Sequence, residues 1–336
     1  MESQNNEFFL VPNAPRGETG RHFKEKSVGN ELRTKKDRPE HSNHIRKIPD
    51  VPQDNAPLVS VIIPSRNAER TIVDCLNSII SQEHRPMEII VVDAFSTDST
   101  ADVARTMGAT VVLHDGGRSA QKNWGARFAK GKYLYFVDAD CKPDPDVIAS
   151  CVEAIDTADG VAIKNLDIAR DSKLSRLIAS RRKILSFDPL NVAVRFVRTE
   201  VFDRLGGFDP DLYAGEDVDF HRRFLLHGFK VAHSQAMEWH LGSPVNLTGF
   251  LNRNLYYSSN QLKHFSKNPV LSLKRMNPLR AVAAWRKSDA PRSDLPFIIF
   301  LGFLSIATLL VAVLLNLPSH ESGAEMTHID SRLQIG

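Results

Sequence analysis

Residues 57 to 140 alternate between short apolar runs and longer segments with helical spacing. The runs "LVSVIIP", "MEIIVVDAF", "TVVLHD" and "KYLYFVDAD" predict four strands, and "RTIVDCLNSIISQ", "STDSTADVARTMG" and "GRSAQKNWGARFAKG" between them predict helices. Strands that alternate with helices form a mostly parallel sheet with helices on both faces. Ligands bind beyond the carboxyl ends of such strands, which is where the pattern places Asp93, Asp138 and Asp140.

Composition limits what surrounds this sheet. The chain has 336 residues, of which 42% are hydrophobic and 25% charged, with a formal net charge of +3. These values suit one α/β domain of about 200 to 250 residues with appended segments, and they give no electrostatic footprint for nucleic acid. Cys75, Cys141 and Cys151 match no usual metal spacing and are odd in number, which predicts reduced thiols in a cytosol-like compartment.

The two ends of the chain differ from the middle. Residues 1–55 mix opposite charges without periodicity, so we expect a disordered segment without a signal peptide. Residues 243–294 change from polar and aromatic to basic and predict a helical juxtamembrane segment. Residues 296–317 carry no charge and would extend about 33 Å as a helix, enough to cross a hydrocarbon core of about 30 Å. A buried core helix is the alternative, but only the short tail 318–336 follows it.

Basic residues flank the apolar segment on one side. They are Lys274, Arg275, Arg280, Arg286, Lys287 and Arg292, whereas the tail carries only Arg332. The positive-inside rule therefore predicts a single-pass C-terminal membrane anchor with the large domain on the cytoplasmic side.

Asp138 and Asp140 form an Asp-x-Asp pair at the end of an apolar strand. Hard oxygen ligands of this kind suit Mg²⁺ or Mn²⁺, which take their remaining ligands from phosphate and water. Two carboxylates this close repel each other unless a cation offsets them. The alternative is a solvated, Asp-rich turn.

A second acidic cluster lies in "LGGFDPDLYAGEDVDFHRRFLLHGFK". Glu216, Asp217 and Asp219 begin a predicted helix, where the helix dipole alone favours acids. One of them could instead serve as a general base toward an incoming hydroxyl. Their place on the helix does not decide between the two.

Four ordered motifs carry a family resemblance. They are "VSVIIPSRNAERTI", "EIIVVDAFSTDST", "GRSAQKNWGARFAKGKYLYFVDADCKPDPDV" and "VFDRLGGFDPDLYAGEDVDFHRRFLLHG". Together they resemble the family 2 glycosyltransferases with the nucleotide-sugar GT-A fold, over roughly residues 57–242. The resemblance implies a metal-dependent, inverting transfer of a sugar from a nucleotide-diphosphate sugar.

The resemblance also implies roles for individual residues. Asp138 and Asp140 would hold the metal on the donor diphosphate, and His240 would stand near it, unless that histidine is structural. Asp217 would be the catalytic base and Glu216 its supporting glutamate. The implied donor-binding residues are Pro64, Asn67, Glu69, Asp93, Lys122, Asn123 and Asp138. The chain departs from the family at Ala94, often a second aspartate, and at Lys122, often an arginine, which differs from lysine in phosphate geometry.

A membrane anchor predicts an acceptor at the bilayer surface, either a polyprenyl phosphate or a lipid-linked glycan. The segment 172–187, with Arg176, Arg181, Arg182 and Lys183, could lie at the membrane interface, contact an acceptor phosphate, or be a solvated basic helix. Two other functions are open: a nucleotidyltransferase, although "PSRNAERT" lacks the glycines usual there, and a non-catalytic, membrane-tethered subunit that binds nucleotide sugars.

Overall fold

The computed structural model of the protein describes residues 55–314 except Val245. Its strands are β1 (Val59–Ser65), β2 (Met87–Asp93), β3 (Thr110–Leu113), β4 (Tyr133–Phe136), β5 (Cys141–Pro143), β6 (Gly160–Asp167), β7 (Ala193–Arg198) and β8 (Val231–His240). Its helices are α1 (Ile72–Ile80), α2 (Thr100–Thr106), α3 (Arg118–Ala126), α4 (Val147–Ala154), α5 (Lys173–Leu185), α6 (Thr199–Arg204), α7 (Glu216–Leu226), α8 (Leu247–Lys267), α9 (Pro269–Met276), α10 (Pro278–Arg286) and α11 (Leu295–Leu314). The segments 1–54 and 315–336 lie outside the described residues, so the predicted disordered start, the last three residues of the predicted span 296–317 and the tail are not described.

The strands form one sheet in the order β3-β2-β1-β4-β7-β6-β8-β5. The half built from the four strands predicted above is parallel throughout. Beyond β4 the sheet becomes mixed, because β7 runs antiparallel to β4 and to β6, and β5 runs antiparallel to β8. The predicted α/β architecture is confirmed, with four parallel pairings among the seven in the described chain.

Side chains of the central strands alternate between two apolar layers. In β1, Val61 and Ile63 face a layer covered by α1, α2 and α4, while Ile62 faces a layer covered by α3, α6 and α7. Because both faces of these strands are buried, their sequences are continuously apolar instead of alternating. Polar residues lie at the carboxyl ends of β1, β2 and β4, which together form one rim of the sheet.

The C-terminal helices form a separate apolar layer beside the sheet. Leu301 of α11 packs with Ile178 of α5 and Phe250 of α8, and Ile298 packs with Ala284 of α10. The other faces of α11 expose large apolar side chains, namely Phe300, Phe303, Leu310, Val311, Val313 and Leu314. Within residues 55–314, the segment Arg292–Leu314 alone is long and apolar enough to cross a membrane, by length and composition.

Candidate active site

Asp138 and Asp140 lie just beyond the buried strand β4. The backbone N–H of Val137 donates to Ile62 O at 3.1 Å, and the N–H of Cys141 donates to Asp138 O at 2.9 Å. These bonds fix the short loop between β4 and β5 at the sheet rim. The apolar strand thus provides a rigid support for two carboxylates.

Asp140 is paired with His240 from the far end of β8. The pairing of β5 with β8 sets Cys141 opposite His240, and Nε2 of His240 lies 3.1 Å from Oδ2 of Asp140. Burial raises the pKa of Asp140, but the charge and hydrogen bond of His240 outweigh it and hold this pKa below its usual value. Gly242 leaves the pair open, because a Cβ there would lie 3.2 Å from Asp140 Oδ2 and 3.2 Å from His240 Cε1.

Asp138 faces three cations. Its Oδ1 lies 3.5 Å from Nζ of Lys122 and 3.8 Å from Nε of Arg118, and its Oδ2 lies 3.4 Å from Arg195. Burial alone would raise the pKa of Asp138, but Lys122, Arg118 and Arg195 hold it well below its usual range. Asp138 is therefore an anion surrounded by protein cations.

These positions test whether a divalent ion fits. Among the described residues, no three His, Cys, Asp or Glu side chains form a group able to hold a metal ion without other ligands. Asp140 and His240 converge in an open place, and Oδ1 of the neighbouring Asp138 is buried without a hydrogen-bond partner. A hard cation that completes its shell with phosphate oxygens and water fits such a partial donor set.

Lys122 joins the two acidic motifs. It comes from α3, its side chain is 3% exposed, and its Nζ lies 3.0 Å from Oε1 of the buried Glu216. Arg118, one helical turn earlier on α3, keeps 33% of its side chain exposed beside Asp138. Arg118 was not predicted as a site residue, although Arg118 and Lys122 are four residues apart and therefore share a face of α3.

Asp217 is oriented by the turn that begins α7. Gly215 adopts a positive φ of 80°, a conformation that favours glycine, and the helix starts at the next residue. Glu216 is buried, whereas Asp217 keeps 31% of its side chain exposed, with Oδ2 3.8 Å from Nη2 of Arg195. Burial raises the pKa of Asp217, but Arg195, Lys122 and Arg275 reverse this and lower it. The group is therefore a carboxylate at neutral pH.

Arg195 is a second residue that the sequence analysis missed. It projects from the apolar strand β7, and its Nη1 lies 3.2 Å from Oε2 of Glu238, which is fully buried. Glu238 also accepts hydrogen bonds from Tyr135 at 2.8 Å and Asn165 at 2.9 Å. The sequence could have indicated Arg195 through its place within the apolar strand "AVRFVR", because a buried charge requires partners.

The predicted donor loops are bonded to each other. Asn67, with a φ of 47°, accepts a hydrogen bond from Thr97 N at 2.9 Å, and Glu69 N donates to Asp98 at 3.1 Å. Pro64 belongs to β1, in register with Val92.

Asp93 and Asn123 likewise form hydrogen bonds within the protein. Asp93 is buried and accepts hydrogen bonds from the N–H of Ser96 at 2.8 Å and from its hydroxyl at 2.5 Å. The side chain of Asn123 exchanges two 2.8 Å hydrogen bonds with the backbone of Phe208. In this structure these residues shape the rim, and their contact with a donor stays a prediction.

The comparison with protein families decides the assignment. Residues 60–206 match the sequence model described as glycosyl transferase family 2. The chain thus contains a glycosyl transferase family 2 region. That region includes Asp138 and Asp140 and ends before Asp217 and His240.

Curated glycosyltransferases are similar to this chain over part of their length. The chain is 29% identical over 202 residues to Glycosyltransferase AglE of Haloferax volcanii, which covers 52% of this chain and 64% of AglE. It is 34% identical over 104 residues to the Putative teichuronic acid biosynthesis glycosyltransferase TuaG of Bacillus subtilis, covering 29% and 41% of the two chains. The chain thus spans less than two thirds of these relatives.

A solved structure shares the fold of this chain. It is Mannosyltransferase PcManGT from Pyrobaculum calidifontis in complex with GDP-Man and Mn²⁺, with a TM-score of 0.55 and 19% identity. The similarity covers 80% of this chain and 90% of that one. It supports the GT-A architecture predicted from the four motifs.

Proposed function

We propose that this protein transfers a sugar, with inversion, from a nucleotide-diphosphate sugar to an acceptor at a membrane surface. The observation that carries the proposal is the position of Asp217. Its partly exposed carboxylate lies 3.8 Å from Arg195, which also contacts Asp138 at 3.4 Å. A candidate base held next to a candidate diphosphate site is the arrangement that a single displacement needs.

The donor side of the proposal rests on the charges around Asp138. Asp140 and His240 are the residues that would hold a divalent ion, which supplies neutralisation of the charge building on the leaving diphosphate. Arg118 is partly exposed beside them and is placed to pair with a phosphate oxygen. Lys122 is occupied by Asp138 and Glu216, so its role is to hold the two motifs together.

Asp217 acts on the acceptor. With a hydroxyl acceptor, its carboxylate takes the proton, the acceptor oxygen bonds to the anomeric carbon, and the bond from that carbon to the diphosphate breaks. A positioned base of this kind contributes about 10²- to 10⁴-fold to such a reaction. The salt bridge between Lys122 and Glu216 supports the start of α7, from which Asp217 projects.

The membrane side of the proposal rests on α9, α10 and α11. Val270 and Leu273 of α9 and Leu279 of α10 are exposed apolar residues in helices that also carry basic ones. Such helices suit a membrane interface, and α11 is long enough to span the bilayer. We propose a C-terminal anchor with the catalytic domain on the cytoplasmic side, and a polyprenyl-phosphate or lipid-linked glycan acceptor.

The proposal is tested with the full chain in membranes. Radiolabelled UDP-, GDP- and CMP-sugars are supplied with and without Mn²⁺, and lipids are extracted. We expect label from one nucleotide class to enter the lipid fraction only when Mn²⁺ is present. A donor that raises the melting temperature without any transfer would point to a non-catalytic binding subunit, and formation of a nucleotide sugar from sugar phosphate would point to a nucleotidyltransferase.

A further inference from the structure

Two arginines lie one helical turn from the contact between the sheet domain and α11. Ile178 of α5 and Phe250 of α8 pack with Leu301 of α11. Arg181 and Arg253 follow three residues later on the same two helices. Residues three apart are neighbours on a helix surface, so both arginines lie near the helix faces that pack against α11.

Asp167 acts on both arginines from a distance, but neither arginine is paired directly with a described residue. In the part of the chain that the structure describes, Arg181 and Arg253 are partly buried, and neither has a hydrogen-bond or ion-pair partner. Burial lowers the pKa of Arg181 to about 10, and the charge of Arg253 acts in the same direction. Burial likewise lowers the pKa of Arg253. Two like charges held together away from water are unfavourable unless an anion joins them.

The neighbouring Arg182 shows what a structural arginine does here. Its Nη1 lies 2.9 Å from Oδ1 of Asp167, and its Nε donates to Asn165 O at 3.0 Å. Arg176, six residues earlier on the same helix, is exposed and donates to the backbone carbonyl of Asp171. Among the basic residues of α5, Arg182 is therefore paired, Arg176 is exposed to solvent, and Arg181 has no direct partner in the described part of the chain.

The unpaired arginines lie next to the catalytic rim. Arg253 is close enough to Asp140 and Tyr257 for their charges to raise its pKa. Asp167, which acts on both Arg181 and Arg253, stands opposite His240 in the pairing of β6 with β8. The pair thus lies near the Asp140–His240 end of the site, on the two helices that pack with α11.

We infer that Arg181 and Arg253 bind the phosphate of an amphiphilic acceptor whose hydrocarbon chain follows α11. Two guanidinium groups suit a phosphate because each can donate two hydrogen bonds to it. The exposed apolar side chains on the other faces of α11, among them Phe300 and Phe303, suit the chain of such a lipid. This inference deepens the proposed function and rests on it, because it assigns the residues that bind the acceptor of the same reaction.

The test measures binding, not turnover. The full chain in a non-ionic detergent is titrated with farnesyl phosphate, with farnesol and with inorganic phosphate, and the dissociation constant of each is measured by calorimetry. The variants are Arg181→Gln and Arg253→Gln, and the control is Arg176→Gln, which removes an exposed charge from the same helix. A melting-temperature shift with nucleotide sugar and Mn²⁺ shows that each variant is folded.

We expect the wild-type protein to bind farnesyl phosphate more tightly than either simpler probe. Each of Arg181→Gln and Arg253→Gln should weaken that binding about tenfold, the size expected for a hydrogen bond to a charged group. Arg176→Gln should leave it unchanged. The inference would be overturned if Arg181→Gln and Arg253→Gln bound farnesyl phosphate as tightly as the wild type, or if Arg176→Gln lost as much affinity as they do. It would also be overturned if the wild type bound farnesol as tightly as farnesyl phosphate. Equal affinity of the wild type for inorganic phosphate and farnesyl phosphate would exclude an amphiphile. Failure of the wild type to bind any donor would instead contradict the proposed function.

Discussion

Nη2 of Arg195 lies 3.8 Å from Oδ2 of Asp217. The same guanidinium contacts Asp138 at 3.4 Å and Glu238 at 3.2 Å. One buried cation therefore connects the strand-end aspartate, the candidate base and a buried glutamate. This contact links the two acidic motifs across the site, as Lys122 does between Asp138 and Glu216.

Replacing Arg195 tests this connection. Arg195→Met leaves Glu238 buried without its cation, so we expect the free energy of unfolding to fall by about 3 to 5 kcal/mol. Arg195→Lys retains the charge but cannot span three carboxylates, and transfer should fall at least tenfold with a smaller loss of stability. Chemical unfolding and sugar transfer measure the two effects. The exposed Arg204→Met is the control, and equal effects there would contradict the role of Arg195.

Gly242 tests the opening beside Asp140 and His240. In Gly242→Ala the new methyl group would lie 3.2 Å from both side chains and crowd the place where a metal ion fits. We expect the affinity for Mn²⁺, followed by its paramagnetic resonance signal, to fall severalfold with little change in melting temperature. Gly302→Ala, with nothing within 4 Å of the added atom, is the matched control. Normal Mn²⁺ affinity in Gly242→Ala would place the ion elsewhere.

His264 makes stability depend on pH. Burial lowers its pKa, and Arg275 acts in the same direction. Its ring lies against Gly215, where an added Cβ would be 3.0 Å from Cδ2. Because the unfolded chain binds a proton at His264 more readily, the stability from the neutral ring is complete above about pH 6.5 and is lost as pH falls through the lower folded pKa.

The melting temperature should therefore drop between pH 7 and pH 5, and His264→Gln should reduce that drop. The exposed His227→Gln should retain it. An identical pH profile for His264→Gln and the wild type would show that the histidine titrates normally.

The sequence predicted the local elements of the first half of the sheet well. In β1, β2 and β4 the apolar runs are buried on both faces, so composition alone identifies them. Contacts between distant residues were not predictable in this way. The resemblance implied that Lys122 contacts the donor, and it did not indicate that Lys122 bonds with Glu216, 94 residues away. Nor did it indicate that Arg195 contacts Asp138, 57 residues away. The contact of Arg195 with Asp138 depends on the pairing of β4 with β7, and the pattern of apolar runs does not predict which strands pair.

The apolar helix α11 is tested by adding a charge to it. Phe303 is exposed near the middle of the helix, where a lysine would disfavour membrane insertion by about 3 kcal/mol. In Phe303→Lys we expect a smaller share of the protein to float with membranes after centrifugation. Leu226→Lys changes an exposed leucine of α7 and should leave flotation unchanged. Equal flotation of both variants would contradict insertion of α11.

The central claim is that Asp217 is the base of a sugar transfer, and Asp217→Asn tests it most directly. The amide has nearly the same shape but does not accept the proton. Transfer from the nucleotide sugar to a hydroxyl of the membrane acceptor should fall about 10²- to 10⁴-fold, while the Mn²⁺-dependent shift in melting temperature on donor binding remains. Transfer at the wild-type rate by a folded Asp217→Asn protein that binds donor would contradict the account.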